Sequence, residues 1–268
     1  MAVQILSDLH LGFPKTYAAC VVPPKAPYLA LLGNIGNVVP HKNEFLTFLT
    51  THLRLFKAVL FVPGNHEAYH SNWEDTLAAL RVFEEQVERD DSLGHFQVLD
   101  RGTYRPPGSD TVILGCSLFS HVPQESQMAV EMGIIDFYLI EDWSVAKHNK
   151  AHQRDVAWLN DEVAKLEECR DATSIIILTH WSPSRLSGAT DPKHIGSPII
   201  SGSSTDLTNE RCFGSVKVKM WAFGHTNYNC DIETEREGGA GTLRLVANQR
   251  GYFGSQLDGF DVEKTILL

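Results

Sequence analysis

Six short runs rich in valine, isoleucine and leucine limit the fold of this chain most: 3–7, 28–32, 58–62, 111–114, 174–178 and 219–223. Continuous apolar runs of this length, each closed by a polar or glycine-containing segment, are the pattern of strands buried on both faces. Two more strands are expected at 230–234 and 242–246. Gly238, Gly239 and Gly241 between them imply a hairpin with a loose tip. Helical patterns separate the strands. Residues 44–56 carry Phe45, Phe48, Leu49 and Leu53 at helical spacing, and 73–88 is similar. Residues 149–169 set Val156, Leu159, Val163 and Leu166 on one side, with Trp158 read as core. Alternating strands and helices define an α/β protein, and their uneven order favours a mixed sandwich over a regular βαβ repeat. Residues 121–142 and 181–208 read as loops. The second, rich in Ser, Gly and Pro, follows His180 directly and reads as a lid over a substrate.

The 268 residues are enough for one α/β domain with a large core. The formal net charge is −10 and no basic run is present, which argues against a nucleic-acid partner and for a small molecule. Five widely spaced cysteines with no CxxC pair suggest a reducing compartment rather than a disulfide framework, and Cys116 reads as a small core residue. The first residues, MAVQILSDLH, lack a basic segment followed by an apolar one, and no run approaches a membrane span. The expectation is a cytoplasmic protein with no membrane partner.

Polar groups collect at the strand ends. Asp8 and His10 follow the first strand as D-x-H. Asn34 follows the second within Gly33-Asn34-Ile35-Gly36-Asn37. Gly64-Asn65-His66-Glu67 follows the third, His180 follows 174–178, and Gly224-His225-Thr226-Asn227 follows 219–223. Ligand sites in open α/β sheets lie beyond the carboxyl ends of strands, and His, Asp and Asn at five such ends suit a metal or acid–base site. Any one of these elements alone is commonplace; five in order are not.

The ordered set DLH, GNxxN, GNHE, TH and GHTN resembles the calcineurin-like metallophosphoesterases, whose pattern is D-x-H, G-D-x-x-D, G-N-H-[DE], H and G-H-x-H. Within them it looks most like small fungal-type members. The resemblance implies a two-sheet β-sandwich flanked by α-helices. It also implies metal ligands at Asp8, His10, Asn34, Asn65, His180, His225 and Asn227. His66 would act on the leaving group, with Asp8 and His10 beside it as catalytic residues. Two positions depart from the pattern. Asn34 stands where the family has the aspartate that bridges both metals, and Asn227 where it has the last histidine. Asn37 replaces the second aspartate of G-D-x-x-D, a position of structural weight.

Two dications about 4 Å apart repel by on the order of 16 kcal/mol at an effective dielectric of 20. A neutral amide offsets little of this, so the full dinuclear centre is not expected. One divalent ion (Zn, Fe or Mn) held by Asn65, His180 and His225, with help from Asp8, is the alternative. Three readings follow: hydrolysis of a phosphoester with a weakened centre, acid–base chemistry on a small metabolite in a repurposed pocket, or an inactive binding protein. The asparagines could also have been introduced to trap a substrate. His70, Arg185, Lys193 and His194 are candidates for binding an anionic small molecule. Tyr138, Trp143 and Trp181 are candidates for an aromatic wall.

Overall fold

A computed structural model of the chain describes residues 2–236, 239 and 241–267. Two mixed sheets face each other with helices on their outer sides. The first has the order β11-β1-β2-β3-β4, from β1 (Ala2–Leu6), β2 (Tyr28–Leu31), β3 (Ala58–Phe61), β4 (His95–Val98) and β11 (Thr265–Leu267). The second runs β5-β6-β7-β8-β10-β9, from β5 (Gly102–Tyr104), β6 (Thr111–Cys116), β7 (Ser174–Thr179), β8 (Val218–Phe223), β9 (Cys230–Glu235) and β10 (Thr242–Ala247). Strands β1 to β4 are parallel, as are β6, β7, β8 and β10; β11, β5 and β9 are antiparallel additions at the edges.

Period-two alternation inside the apolar runs builds three layers. Val3, Ile5, Ala30 and Leu60 of the first sheet meet Ile113, Ile176, Leu178 and Ala222 of the second between the sheets. The alternate residues Leu29, Leu31, Val59 and Phe61 face outward onto α1 (Lys42–Leu53) and α2 (Trp73–Val87). In the second sheet Leu114, Ile175 and Ile177 pack on Val156, Leu159 and Val163 of α5 (Val145–Glu168). Each such aliphatic side chain, buried in full, contributes roughly 1.5–3 kcal/mol.

All eight expected strands are present. The hairpin pairs Thr242 with Glu235, and Gly238 at its tip lies outside the described residues. The long helix begins at Val145 rather than 149, because the Ser144 side chain caps it by accepting from the Lys147 N–H. The stretch 121–142 is not all loop. It holds α3 (Gln127–Gly133) and α4 (Asp136–Leu139). Val130 is the buried residue of α3 and Asp136 that of α4, so neither helix carries an apolar stripe to betray it. In contrast, 181–208 contains only two short 3₁₀ turns, at Pro192–His194 and Ile200–Gly202. A last short helix, α6 (Arg211–Gly214), precedes β8. No helix among the described residues is long and apolar enough to cross a membrane, and the five cysteines are free thiols.

Candidate active site

The parallel strands of both sheets point their carboxyl ends at one cleft, so five sequence-distant loops converge there. Backbone bonds lock the loops together. Asp8 N–H donates to Gly33 O (3.0 Å), His10 N–H to Asn34 O (2.9 Å) and Gly224 N–H to His180 O (2.9 Å). Asp8, His10, Asn34, His225 and Asn227 all take left-handed backbone, with φ of 54°, 47°, 55°, 67° and 52°. That conformation is uncommon without glycine and is held only where surroundings over-determine it.

Glu67 does much of the holding. It is fully buried, and its carboxylate accepts from the N–H groups of Asn34 (2.9 Å), Ile35 (2.8 Å), Gly36 (3.2 Å) and Gly64 (2.7 Å). One side chain thereby fixes the turn after β2 and the turn after β3. Burial pushes the carboxyl up to about 7, while the four N–H donors pull the other way. Gly64 permits the close approach this needs: a Cβ there would stand 2.7 Å from both His180 Nε2 and Asn34 Oδ1.

At the centre of the cleft, His180 Nε2 lies 3.0 Å from Asn65 Oδ1. The other ring nitrogen, Nδ1, is 2.7 Å from the Leu32 carbonyl and must donate to it. Neutral imidazole then has only a lone pair at Nε2. Asn65 turns its oxygen to that lone pair because its Nδ2 is committed elsewhere, donating to Asp136 Oδ1 (2.7 Å) and Tyr69 Oη (2.9 Å). The Tyr69 hydroxyl in turn donates to Asp136 Oδ1 at 2.6 Å. Two acceptors therefore confront each other. A second proton on His180 is opposed by burial, which lowers its pKa to about 3. His225 completes the group, its ring 5.0 Å from that of His180. Burial, then the neighbouring His180 and His10, hold His225 well below its ordinary value, with the Gly202 carbonyl acting in the other direction. Facing lone pairs on nitrogen and oxygen are what a divalent ion would satisfy, so this donor set fits one.

Beside it, an amide stands where the family pattern has an aspartate. Asn34 Oδ1 accepts from the His66 backbone N–H (2.9 Å), which forces Nδ2 toward Asp8 Oδ1, to which it donates at 3.0 Å. An N–H donor thus occupies the place where a bridging carboxylate would present oxygen. Asp8 also accepts from Ser7 Oγ (2.6 Å) and His225 N–H (2.9 Å); burial still raises its pKa. Asn227 donates its backbone N–H to Gln249 Oε1 and offers an amide, not an imidazole. No group of three or more His, Cys, Asp or Glu side chains suited to a metal is found among the described residues.

What remains of the first position is a chain of contacts. His10 Nε2 is buried, 3.6 Å from Asp8 Oδ1, and His10 Nδ1 is 3.4 Å from His66 Nδ1. The His10 ring stacks on Tyr252 (4.1 Å, 13°) and the His66 ring on Tyr69 (4.2 Å, 27°). Burial lowers the pKa of His10 to about 4 and holds that of His66 well below the usual imidazole value.

The cleft has a volume of about 300 Å³. Asp8, His10, Asn34, Asn65, His66, His225 and Asn227 line it; His180 lies behind, in contact with Asn65. Of the candidate substrate contacts only His194 reaches this cleft, with Ser197, Ile199, Ile200 and Ser203 of the same long loop. Arg185 is spent on the Ser204 carbonyl (2.8 and 3.2 Å) and Lys193 pairs with Asp191 (2.6 Å), so neither lines the cleft. His70 is exposed and lines an adjoining cavity. The aromatic wall is Tyr69 and Tyr252. Trp181 is core instead, its Nε1 donating to Gly202 O; Trp143 packs on Trp73 and Phe119, and Tyr138 is exposed. Sequence reasoning missed Asp136, Tyr69 and Tyr252. Only the glycines around Tyr252, which flag a tight loop, offered a signal.

Residues 1–228 match the family model described as calcineurin-like phosphoesterase. The chain belongs to the calcineurin-like phosphoesterase family. Members of this family generally use divalent metals, and its α/β sandwich is the fold seen here. Among curated relatives, an uncharacterised protein, L509, of Acanthamoeba polyphaga mimivirus is 26% identical over 273 aligned positions, covering 93% of this chain and 91% of the relative. Among solved structures, the phosphopantetheinyl hydrolase PptH from Mycobacterium tuberculosis superposes with a TM-score of 0.62 at 16% identity, covering 94% of this chain and 89% of that one. At that identity the likeness concerns the fold alone.

Proposed function

We propose that this calcineurin-like phosphoesterase hydrolyses a small-molecule phosphoester with a single divalent ion held by Asn65, His180 and His225. The observation that carries the reading is the 3.0 Å meeting of His180 Nε2 and Asn65 Oδ1, two acceptors with no proton to share. When bound, such an ion supplies positive charge for phosphoryl oxygens and a means of activating water. The cleft needs that charge. No lysine or arginine is among the residues that line it, and burial lowers the pKa of its His10, His66 and His225. The acidic side chains that line it are Asp8 and Asp136.

The chain's own residues then divide the work. Asp136 and Tyr69 hold the Asn65 amide with its oxygen outward. Glu67 fixes the Asn34 and Gly64 turns. His66 donates an N–H proton to the leaving oxygen and can take one back at Nδ1 from His10 Nδ1, 3.4 Å away.

A second reading rests on the same Asp8–His10–His66 chain. Proton transfer along it without an ion would suit isomerisation or elimination of a small metabolite. Removal of metal with a chelator separates the two. Under the first reading, 4-nitrophenyl phosphate turnover disappears with the chelator and returns with about one equivalent of Mn²⁺ or Zn²⁺. Turnover that survives full metal removal favours the second reading. No turnover of any phosphoester by protein loaded with Mn²⁺, Zn²⁺ or Fe²⁺ would end the first.

A further inference from the structure

The cleft does not end at His66. A second cavity of about 360 Å³ opens beyond it and shares five wall residues with the first: His10, His66, Tyr69, Ile135 and Tyr252. Asp8, Asn34, Asn65, His225 and Asn227 face the first cavity only. The two imidazoles therefore stand at the boundary, each backed by a tyrosine ring, with the candidate ion ligands on one side.

The second cavity has a different chemistry. Its own walls include Phe13, Leu139, His41 and His70, and no Asp, Glu, Lys or Arg lines it. Several apolar walls are exposed for no reason internal to the fold: Phe13 is 91% exposed, Ile135 56% and Tyr252 52%. Apolar surface around a concave site gains burial when a ligand fills it. The Tyr252 loop is nonetheless anchored: Arg250 and Gly251 donate their N–H groups to Ser7 O and Asp8 O, at 3.1 Å each.

We infer that the second cavity is the leaving-group subsite, and that the substrate is a phosphoester of a bulky, uncharged, apolar or aromatic alcohol. This rests on the hydrolytic reading above. The phosphoryl group occupies the first cavity, the bridging oxygen lies against His66 at the boundary, and the alcohol's body lies among Phe13, Ile135, Leu139 and Tyr252. Polyphosphate leaving groups are expected to be poor substrates, because no lysine or arginine lines this cavity.

The test compares phenyl phosphate with 4-biphenylyl phosphate, whose leaving groups are similarly acidic, on metal-loaded wild-type protein, Leu139→Trp and Phe13→Ala. Leu139→Trp fills the cavity; Phe13→Ala removes a side chain that is 91% exposed. The expected kcat/KM ratio favours the biphenylyl ester by about tenfold or more in the wild type, and falls toward unity in both variants. Binding of 4-phenylphenol alone, read by thermal shift on the same three proteins, supplies an arm that needs no turnover. Stabilisation of the wild type that Leu139→Trp abolishes supports the subsite even if no ester is cleaved, in which case only the hydrolytic reading has failed. A ratio near unity in the wild type overturns the subsite. So does stabilisation by 4-phenylphenol that is absent, or equal in wild type and Leu139→Trp.

Discussion

His180 Nε2 and Asn65 Oδ1 face each other across 3.0 Å, and each is an acceptor because its partner group on the same side chain is already donating. Asp136 causes half of this. It draws the Asn65 amide nitrogen away and leaves the oxygen in the cleft. Replacing Asp136 with Asn keeps the shape and removes the strong acceptor, so the Asn65 amide is free to flip. Metal affinity should fall by about 10–100-fold, as is usual when an outer partner of a ligand is lost. Titration calorimetry with Mn²⁺ reads this. Unchanged affinity would mean that Asn65 needs no such orientation.

Under the single-ion reading, restoring the family pattern should add a second ion. Asn34→Asp with Asn227→His is expected to raise metal content from one equivalent to two, and phosphatase turnover by about tenfold or more. Asn34→Asp alone sets a carboxylate against Asp8, so the metal-free variant should lose about 1–3 kcal/mol of stability and regain it with Mn²⁺. Elemental analysis and thermal melts with and without Mn²⁺ check both parts.

Glu67→Gln is a near-isosteric change with a large expected cost. The new amide N–H₂ must face at least one of the four backbone N–H groups that Glu67 now satisfies. Stability should drop by about 2–4 kcal/mol in urea denaturation, and activity should fall with it as the Asn34 and Gly64 turns loosen. A neutral result would show that the two turns do not depend on the carboxylate's four hydrogen bonds.

Much of this architecture was legible in the residues themselves. Runs such as 58–62 and 174–178 announced strands because both their faces are buried, and the polar group after each run marked the cleft. Other features left no such trace. Helix α4 holds Asp136, yet its four residues carry no apolar period, so the stretch read as loop. Tyr69 and Asp136 meet only through the fold, 67 positions apart. Arg185 and Lys193 looked like free cations in a lid. Each is bound to a local partner, Ser204 and Asp191, which charge counting along a sequence cannot see. The altered metal pattern, Asn34 and Asn227, was visible at once. Its consequence was not, because the direction of the Asn34 amide is set by the His66 N–H.

Acid sensitivity has a defined source in α5. His148 is fully buried, with Nε2 accepting from Ser120, and burial lowers its pKa from 6.5 to about 3. As pH falls below about 6.5 the unfolded chain takes up the proton first, so the stability contributed by neutral His148 is lost between about pH 6.5 and 3, at up to about 1.4 kcal/mol per unit. His148→Gln should be the less stable protein at pH 7 and close the gap as pH falls to about 4.5, in urea denaturation. A gap independent of pH would place the titration elsewhere.

His66→Asn should lower kcat by about 10²–10⁴-fold for esters with poorly acidic alcohols and much less for 4-nitrophenyl phosphate, whose leaving group needs little protonation. Equal losses for both would assign His66 a role other than proton donor.

Anomalous diffraction from crystals soaked in Mn²⁺ tests the single-ion account most directly. One peak among Asn65, His180 and His225, with none between Asp8, His10 and Asn34, is the predicted result. Two fully occupied peaks on either side of Asn34, or none at all, would contradict it.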